Sequence, residues 1–295
     1  LLNQALGEAK AHAETANQSK TRFLAAVSHD LMQPLNAARL FSAALSHHNN
    51  LPRDASELVQ HLDSSLRSAE DLITDLLDIS RIDSGNVKLR LEEIDLAQVV
   101  DTVIETTQFH FDATGTELRL HLPEEPATAE IDVTRVERII RNLVVNALEH
   151  GEGKPMDVTV AVDADAVAVR VRDHGIGMSP DVVTKVFDRF YRAAPSRQRT
   201  LGGTGLGLSI SAEDAVLHGG TLEVWGWPDE GASFLLTLPR HLGADGERGV
   251  LVGATVVGPT AGDILGHLAL AQAHDGALAE LLFDLRQGGL QGLGL

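Results

Sequence analysis

The sequence predicts an α+β protein in which a helical hairpin precedes an α/β sandwich. Two long helix patterns come first, and a mixed order of strand and helix patterns follows from Val87 to Pro239. Two helices with one apolar stripe each do not enclose a core on their own. We therefore expect the hairpin to pair with a second copy of the chain, so that a homodimer forms one four-helix bundle.

The first helix is predicted from Leu2 to about His48, because alanine, leucine, glutamate and lysine are frequent there and all favour helices. Pro34 lies inside this pattern. A proline there removes a backbone hydrogen bond, so we expect the helix to bend at that point. Its apolar residues recur at three- and four-residue steps, at Leu24, Val27, Leu31, Leu35 and Ala38.

The second helix is predicted from Asp54 to about Ile82, after a turn signal at residues 49–52. Ser84 and Gly85 end it, since a glycine just past the last turn is a common helix stop. This helix also carries a single apolar stripe, which consists of Leu58, Leu62, Leu66, Ala69, Leu72, Ile73, Leu76 and Ile79.

The part that follows has the pattern of strands mixed with helices. The predicted strands are Val87–Leu91, Glu117–Leu122, Met156–Val162, Ala166–Arg172, Thr221–Val224 and Ala232–Leu238. The predicted helices are Leu96–His110, Asp132–His150, Pro180–Phe187 and Gly205–His218. A layer of helices on a mixed sheet accommodates this order.

Composition narrows the classes of function. The net charge of -18 disfavours nucleic acid and anionic lipid as partners, and the absence of cysteine excludes a disulfide framework or a cysteine nucleophile. A nucleotide is also an anion, so a nucleotide site would need local compensation, most simply Mg²⁺. The sequence contains no apolar run of about 18 residues that would predict a membrane span. We therefore expect a cytoplasmic fragment. Because the chain opens at Leu1, we expect the full-length protein to extend upstream, where a membrane anchor can lie.

Two glycine-rich loops carry the first sign of chemistry. Asp173 ends a predicted strand, where its carboxylate can accept a hydrogen bond from an exocyclic amine, and Gly175 and Gly177 let the backbone approach a flat ring. A plain turn explains this segment alone equally well. Residues 202–209 precede a predicted helix, whose free N–H groups and positive end can hold phosphates. They lack the Gly-Lys-Ser/Thr of a P-loop.

Asn142 and Asn146 lie four residues apart and so share one face of a predicted helix. Their amide oxygens are acceptable ligands for Mg²⁺, which prefers few protein ligands beside phosphate oxygens. Asparagine on a helix is usually only solvated. Residues 139–148 are otherwise strongly apolar, however, so these two side chains need partners.

Taken with the octet Ser28–Leu35, these segments resemble the boxes of the two-component sensor histidine kinases, over residues 21–240. Of the 13 histidines, only His29 lies in an H box. Ser28–Leu35 is similar to the H box, Asn142–His150 to the N box, Asp173–Gly177 and Gly203–Gly207 to the two glycine boxes, and Phe187–Phe190 to the F box.

The resemblance implies a HisKA-type dimerisation and histidine-phosphotransfer domain over residues 21–88 and an ATP-binding domain of the Bergerat (GHKL) fold over 89–240. It leaves residues 1–20 as a coiled-coil or signalling helix and 241–295 as an unassigned tail rich in Gly, Ala and Leu. The H box is similar to that of hybrid kinases, and residues of about 135–240 to MtrB-type kinases. A chimera or engineered fusion is therefore a second interpretation of the chain.

The resemblance also assigns roles. His29 would accept the γ-phosphoryl group of ATP and pass it to an aspartate on a response-regulator receiver domain, while Asp30 fixes the tautomer of the ring. Asn146 and Asn142 would hold Mg²⁺. The expected ATP-binding residues are Asn142, Asn146, His150, Asp173, Gly175, Gly177, Phe187, Gly203, Thr204, Gly205, Leu206 and Gly207.

Two positions depart from the family. Gln33 stands where relatives often have Thr or Asn, which position water for dephosphorylating the partner, so phosphatase activity stays open. Glu149 stands where many relatives have Lys or Arg near the phosphates. An arginine at 189, 192 or 197 can compensate for it.

Two other functions fit parts of the pattern. A Bergerat-fold ATPase of the gyrase or chaperone kind would need a catalytic carboxylate in the nucleotide helix, where this chain has Asn142. An inactive dimeric relay would pass on a conformational change without phosphorylating histidine. The intact His29, Asn146 and Asp173 argue against that alternative.

Overall fold

The computed structural model describes residues 31–45, 52–85, 87–193 and 204–241. The chain divides into two compact units. The first is helical and extends to Lys88, and the short segment Thr204–Leu206 groups with it. The second begins at Leu89 and is an α/β unit. The predicted domain boundaries remain predictions, and the two patterns in the tail, at residues 250–257 and 263–285, lie outside the described residues.

The helical unit is an antiparallel hairpin. Helix α1 covers residues 31–45, with Pro34 inside it, and α2 spans Arg53–Asp83. Arg39 of α1 pairs with Glu70 of α2 at 3.1 Å, and the Ser42 hydroxyl lies 3.5 Å from the Val59 carbonyl oxygen. Residues early in α1 therefore lie beside residues late in α2, so the two helices are antiparallel. The prediction of two helices is confirmed for these residues, and the rest of the first helix lies outside them.

The end of α2 follows the predicted stop. Gly85 adopts a φ of 66°, in the left-handed region that glycine tolerates best. Its N–H donates to the Ile82 carbonyl at 2.9 Å, while the Ser84 N–H donates to the Ser80 carbonyl. These bonds satisfy carbonyls that the last turn would otherwise leave unpaired.

The hairpin leaves much of its apolar surface uncovered. Of the stripe predicted for α2, only Ile79 is buried, whereas Leu58 is 69% exposed and Phe41 of α1 is 71% exposed. The exposed large apolar side chains of the two helices are Leu31, Leu40, Phe41, Leu45, Leu58, Leu62, Leu72 and Leu76. Among the described helices, none is long and apolar enough to cross a membrane.

The α/β unit contains two sheets. Strands β1 (Glu92–Asp95) and β3 (Thr128–Ile131) form a small antiparallel pair. The main sheet has the order β2-β4-β5-β7-β6, in which β2 and β4 are parallel and all other neighbours antiparallel. Its strands are β2 Leu118–His121, β4 Met156–Val162, β5 Ala166–Asp173, β6 Thr221–Trp227 and β7 Gly231–Pro239.

Among the described residues, four helices complete the unit: α3 Leu96–Thr114, α4 Val133–His150, α5 Pro180–Val183 and α6 Gly207–Leu217. Apolar residues of α3, α4 and α6 pack in one core with those of the sheet. A helical layer thus lies against the mixed sheet, as predicted. The largest fully buried side chains of this core are Leu96, Ile131, Ile139, Ile140, Leu143, Met156, Leu222, Leu236 and Leu238.

The predicted strand Val87–Leu91 is wrong. The backbone N–H of Arg90 donates to the Asp132 carboxylate at 3.0 Å, and pairing starts only at Glu92. Strands β1 and β3 were not predicted because they are short and carry polar residues. Three helix bounds also differ by two residues or more. Helix α3 continues to Thr114, where Gly115 with a φ of 68° ends it, α5 stops at Val183, and α6 begins at Gly207.

Buried polar groups tie α6 to α4. The Asp214 carboxylate is fully buried and accepts hydrogen bonds from Arg135 Nη1 and Arg138 Nη2, each at 2.5 Å. His218 Nε2 accepts the Asp132 N–H at 3.0 Å, so the proton must lie on Nδ1, which is 2.7 Å from the Asp214 carbonyl oxygen. Burial lowers the pKa of His218, which favours this neutral ring.

Replacing Asp214 tests how much this tie stabilises the unit. Asp214→Ala removes the buried carboxylate from two arginines, and we expect the free energy of unfolding to fall by about 3 kcal/mol. The neighbouring Glu213→Ala breaks only an exposed pair with Arg189 at 3.2 Å and should cost less than about 1 kcal/mol. Urea denaturation measures both. Equal losses for the two variants would contradict the assignment.

Candidate functional site

Helix α4 carries a stripe of polar side chains along the border of the core. Asn142, Asn146 and His150 follow one another at four-residue steps, so they span about 12 Å along one side of the helix. The two asparagines are half-buried and His150 is exposed. The residues between them, such as Leu143 and Ala147, are buried in the core. The stripe therefore has a rigid support.

One end of the stripe meets the start of α6. Asn142 Nδ2 donates to the Gly207 carbonyl and to the Ser211 hydroxyl, both at 3.0 Å. A Cβ atom at Gly207 would lie 3.3 Å from Cγ of Asn142, which leaves little space for any larger residue there. The structure thus joins the N-box segment to the last glycine of the second glycine box.

The other end of the stripe meets the end of β5. Asp173 is 3% exposed, and its carboxylate accepts a hydrogen bond from the Gly175 N–H at 2.9 Å. Burial raises the pKa of Asp173, while the backbone N–H groups of Gly175 and Ala232 and the nearby His150 oppose the rise. A carboxylate has about four lone-pair sites, so this group can accept a further bond from an amine.

The histidine at this end has reduced basicity. His150 keeps part of its surface in water, but burial of the remainder lowers its pKa, and the nearby Asp173 carboxylate acts in the opposite direction. A neutral imidazole thus borders a buried acid. The pair forms a polar corner at this end of the stripe.

The first glycine loop packs directly on the protein backbone. A Cβ atom at Gly175 would lie 1.9 Å from the His150 carbonyl oxygen, and the Ile176 N–H donates to the same oxygen at 3.1 Å. Gly177 has a φ of 65°, and a Cβ there would lie 1.8 Å from the Trp227 carbonyl oxygen. Packing against the protein backbone therefore requires glycine at both positions, whether or not a ligand is bound.

The F-box segment is anchored by an aromatic contact. Phe187 is half-buried and meets Phe234 of β7 edge to face, with ring centroids 6.4 Å apart and an angle of 78°. Arg189, one candidate to offset Glu149, is paired with Glu213. Arg192 is exposed, and Arg197 lies outside the described residues.

The remaining predicted residues are not brought to this stripe. Thr204, Gly205 and Leu206 group with the helical unit, where the Thr204 hydroxyl donates to Asp75 of α2 at 3.0 Å and accepts the Leu206 N–H at 3.1 Å. Gln33 is exposed on α1. The predicted His29, Asp30 and Gly203 lie outside the described residues.

The two asparagines differ in what they can offer a metal ion. No group of three or more His, Cys, Asp or Glu residues that could hold a metal occurs in the described part of the chain. Mg²⁺ on a nucleotide needs only one or two protein oxygens. The Asn146 side chain is half-buried, and within the described ranges it makes no hydrogen bond. It therefore fits the role of a single amide ligand, whereas Asn142 directs its nitrogen to α6.

Sequence reasoning missed the polar groups that join α4 to α6. Ser211 lies four residues after Gly207, a spacing that places both on one side of a helix, and that spacing was the one available signal. Asp214 and His218 gave no signal of their own. Their partners are distant in sequence, and the fold brings them together.

Two family models match the chain. One, described as a His Kinase A (phospho-acceptor) domain, covers residues 19–85, and the other, described as a histidine kinase-, DNA gyrase B- and HSP90-like ATPase, covers residues 131–242. The sensor histidine kinase MtrB of Mycobacterium tuberculosis is 44% identical over 245 residues. The chain belongs to the sensor histidine kinases. This family membership confirms the resemblance seen in the sequence.

The similarity covers most of this histidine kinase chain but less than half of each relative. The MtrB alignment covers 81% of the chain and 42% of MtrB. Its 245 residues extend beyond residues 135–240, the part for which the sequence predicted a similarity to MtrB-type kinases. AfsQ2, a signal transduction histidine-protein kinase of Streptomyces coelicolor, is 35% identical over 76% of the chain and 42% of its own length. The chain thus spans about two fifths of these relatives.

Two solved structures support the fold of the kinase chain. A crystal structure of full-length ShkA in complex with AMPPNP matches with a TM-score of 0.63 and 25% identity, over 79% of the chain and 47% of ShkA. The histidine kinase AdeS of Acinetobacter baumannii matches with a TM-score of 0.53 and 19% identity, over 72% of the chain and 98% of AdeS. The predicted fold class, a helical region followed by a Bergerat-type α/β domain, is confirmed.

Gly175 offers a test of the loop geometry. A side chain in Gly175→Ala would overlap the His150 carbonyl oxygen, so α4 and the end of β5 must move apart. We expect a loss of about 2 kcal/mol in the free energy of unfolding and weaker binding of a fluorescent ATP analogue. Urea denaturation and fluorescence titration measure the two effects.

Gly115→Asn serves as the control for that variant. Gly115 also has a positive φ, of 68°, but a Cβ there meets nothing within 4 Å. Asparagine tolerates this backbone conformation, so the control should lose less than about 1 kcal/mol and bind the analogue as the unmodified chain does. Unchanged stability and affinity in Gly175→Ala would refute the packing argument.

Proposed function

We propose that this chain is the catalytic core of a sensor histidine kinase that uses ATP to phosphorylate His29. The polar stripe on α4 supports this proposal most directly. Its Asn142 end contacts the start of α6, and its His150 end contacts the loop after Asp173. One helix therefore connects the segments that resemble the N box and the two glycine boxes.

The stripe favours one direction for the nucleotide. At the His150 end, the buried Asp173 carboxylate can accept a hydrogen bond from the exocyclic amine of adenine. At the Asn142 end, Gly207 begins α6, and free N–H groups together with the positive end of a helix favour phosphates. Asn146 lies between these ends. There its amide oxygen would hold Mg²⁺, which would neutralise phosphate charge when bound.

The other predicted ATP-binding residues belong to the same proposal. Phe187 would position the segment that follows it, and Gly203 to Leu206 would enclose the phosphates together with Gly207. The contact of Thr204 with Asp75 in the helical unit would then have to open when ATP binds.

Phosphorylation of His29 requires a neutral ring nitrogen that attacks the γ-phosphorus. An N–P bond forms while the bond between the γ-phosphorus and the β,γ-bridging oxygen breaks, and ADP leaves with that electron pair. An unperturbed histidine with a pKa of about 6.5 is mostly neutral at neutral pH. Asp30 would accept a hydrogen bond from the other ring nitrogen. Such a transfer depends mainly on positioning and charge stabilisation.

The partner that receives the phosphoryl group is proposed from family membership. It would be an aspartate on the receiver domain of a response regulator, and Gln33 would hold water if the chain also removes phosphate from that partner. The net charge of -18 agrees with a function without nucleic acid or direct membrane contact. A cytoplasmic location belongs to the same proposal, since ATP is the substrate.

Labelling with γ-³²P-ATP tests the proposed activity. We expect acid-labile, alkali-stable label on the chain, and we expect His29→Gln to lose it. His61→Gln is the matched control, because His61 is an exposed histidine on α2 outside the H box. Phosphate release without labelled protein would favour the alternative of a Bergerat-fold ATPase. A chain that binds no nucleotide would favour the inactive relay.

The homodimer is proposed from the uncovered apolar face of the hairpin. Light scattering should give about twice the chain mass of 31.5 kDa. Leu62→Glu places a charge on that face, where Leu62 is 47% exposed, and should shift the mass towards the monomer. Phe109→Glu is the control, since Phe109 is 77% exposed on α3 and lies outside the hairpin. A monomeric parent chain would refute this part of the proposal.

A further inference from the structure

We infer that Ser211 is a positioning residue for the phosphates of the bound nucleotide and that it acts with Asn142 through Gly207. This inference rests on the proposed function, because it concerns how the same site is built. Ser211 is fully buried, so it does not itself contact a ligand. Its effect would be transmitted by the backbone of the first turn of α6.

Three polar groups form a closed triangle between α4 and α6. Asn142 Nδ2 lies 3.0 Å from the Gly207 carbonyl oxygen and 3.0 Å from Ser211 Oγ, and Ser211 Oγ lies 2.8 Å from the same carbonyl oxygen. A carbonyl can only accept, so the Ser211 hydroxyl donates to Gly207. The hydroxyl oxygen must then accept from Asn142. Asn142 Nδ2 is thereby a donor to both acceptors.

The triangle fixes the orientation of the Asn142 amide. If the amide were turned by 180°, Oδ1 would face the Gly207 carbonyl oxygen, and the hydrogen bond donated to that carbonyl would be replaced by repulsion between two acceptors. Nδ2 therefore points to α6 and Oδ1 away from the triangle. Asn142 and Asn146 were both predicted to be metal ligands. The geometry assigns them different roles, since the Asn142 nitrogen holds a helix in place.

The held atom belongs to the residue on which phosphate recognition depends. Gly207 is the first residue of α6 and the last residue of the second glycine box. The direction of the first free N–H groups of the helix is set by where its first turn lies. Farther along, Asp214 independently ties α6 to Arg135 and Arg138. Loss of the triangle would therefore let the first turn shift while the helix stays attached.

Ser211→Ala removes one corner of the triangle and leaves both asparagines in place. We expect the dissociation constant for ADP to rise about three- to tenfold, the range for one hydrogen bond. We expect the rise with and without Mg²⁺, because the change acts on the helix and not on the metal. Ser211→Thr keeps the hydroxyl and should bind ADP within about twofold of the parent chain. Fluorescence titration with a labelled ADP measures these constants.

Asn142→Asp separates positioning from metal binding. It retains an oxygen ligand that Mg²⁺ favours but loses both donors to α6. Positioning predicts weaker ADP binding in EDTA as well as in Mg²⁺. A role as metal ligand alone predicts that binding in Mg²⁺ is at least equal to that of the parent chain. The matched variant Asn146→Asp should change the Mg²⁺ dependence of ADP binding.

Thr107→Val is the control for loss of a buried hydroxyl. Thr107 donates to the Val103 carbonyl at 2.7 Å inside α3, which is the same four-residue bond that Ser211 makes inside α6. It should lower the urea midpoint and leave ADP affinity unchanged. If Ser211→Ala and Asn142→Asp both bind ADP as the parent chain does, the positioning role is refuted and the proposed function stands. If the parent chain binds no nucleotide, the proposed function itself fails.

Discussion

The α/β unit depends on the buried polar attachment of α6 to α4. A carboxylate without water must keep its cationic partners, and Asp214 keeps two arginines of α4 at 2.5 Å. Apolar packing alone would let two helices slide with little penalty, because it has no direction. The hydrogen bonds of Asp214 and His218 have direction. They fix the register of the two helices, and this register places Gly207 beside Asn142.

A second constraint comes from the close approach of backbone segments around Asp173. Gly175 meets the end of α4, Gly177 meets β6, and a Cβ atom at Gly231 would lie 2.0 Å from the Asp173 carbonyl oxygen. Space for even one methyl group is missing at each of these points. The loop after β5 is therefore shaped by three neighbours, which keep the Asp173 carboxylate in one place. Its burial, and hence its raised pKa, follows from the same packing.

The sequence predicted those parts of the molecule that depend on local periodicity. Strand β4 matches its predicted bounds, Met156–Val162, and α4 matches to within one residue. The shared face of Asn142 and Asn146 is a property of any helix and was predictable for that reason. Strands β1 and β3 were not, because they are polar and become strands only by pairing. The donor direction of Asn142 and the role of Ser211 depend on α6, which no local pattern places beside α4.

The attachment of both glycine boxes to one helix has a consequence for selectivity. A helix of this length is stiff, so the distance between Asp173 and Gly207 cannot adjust to the size of a molecule. The polar stripe of about 12 Å therefore selects ligands by their length. In the proposed nucleotide site, a nucleoside that lacks its phosphate chain would contact only the His150 end, and free phosphate would contact only the Asn142 end. Only a ligand that reaches both ends gains from both.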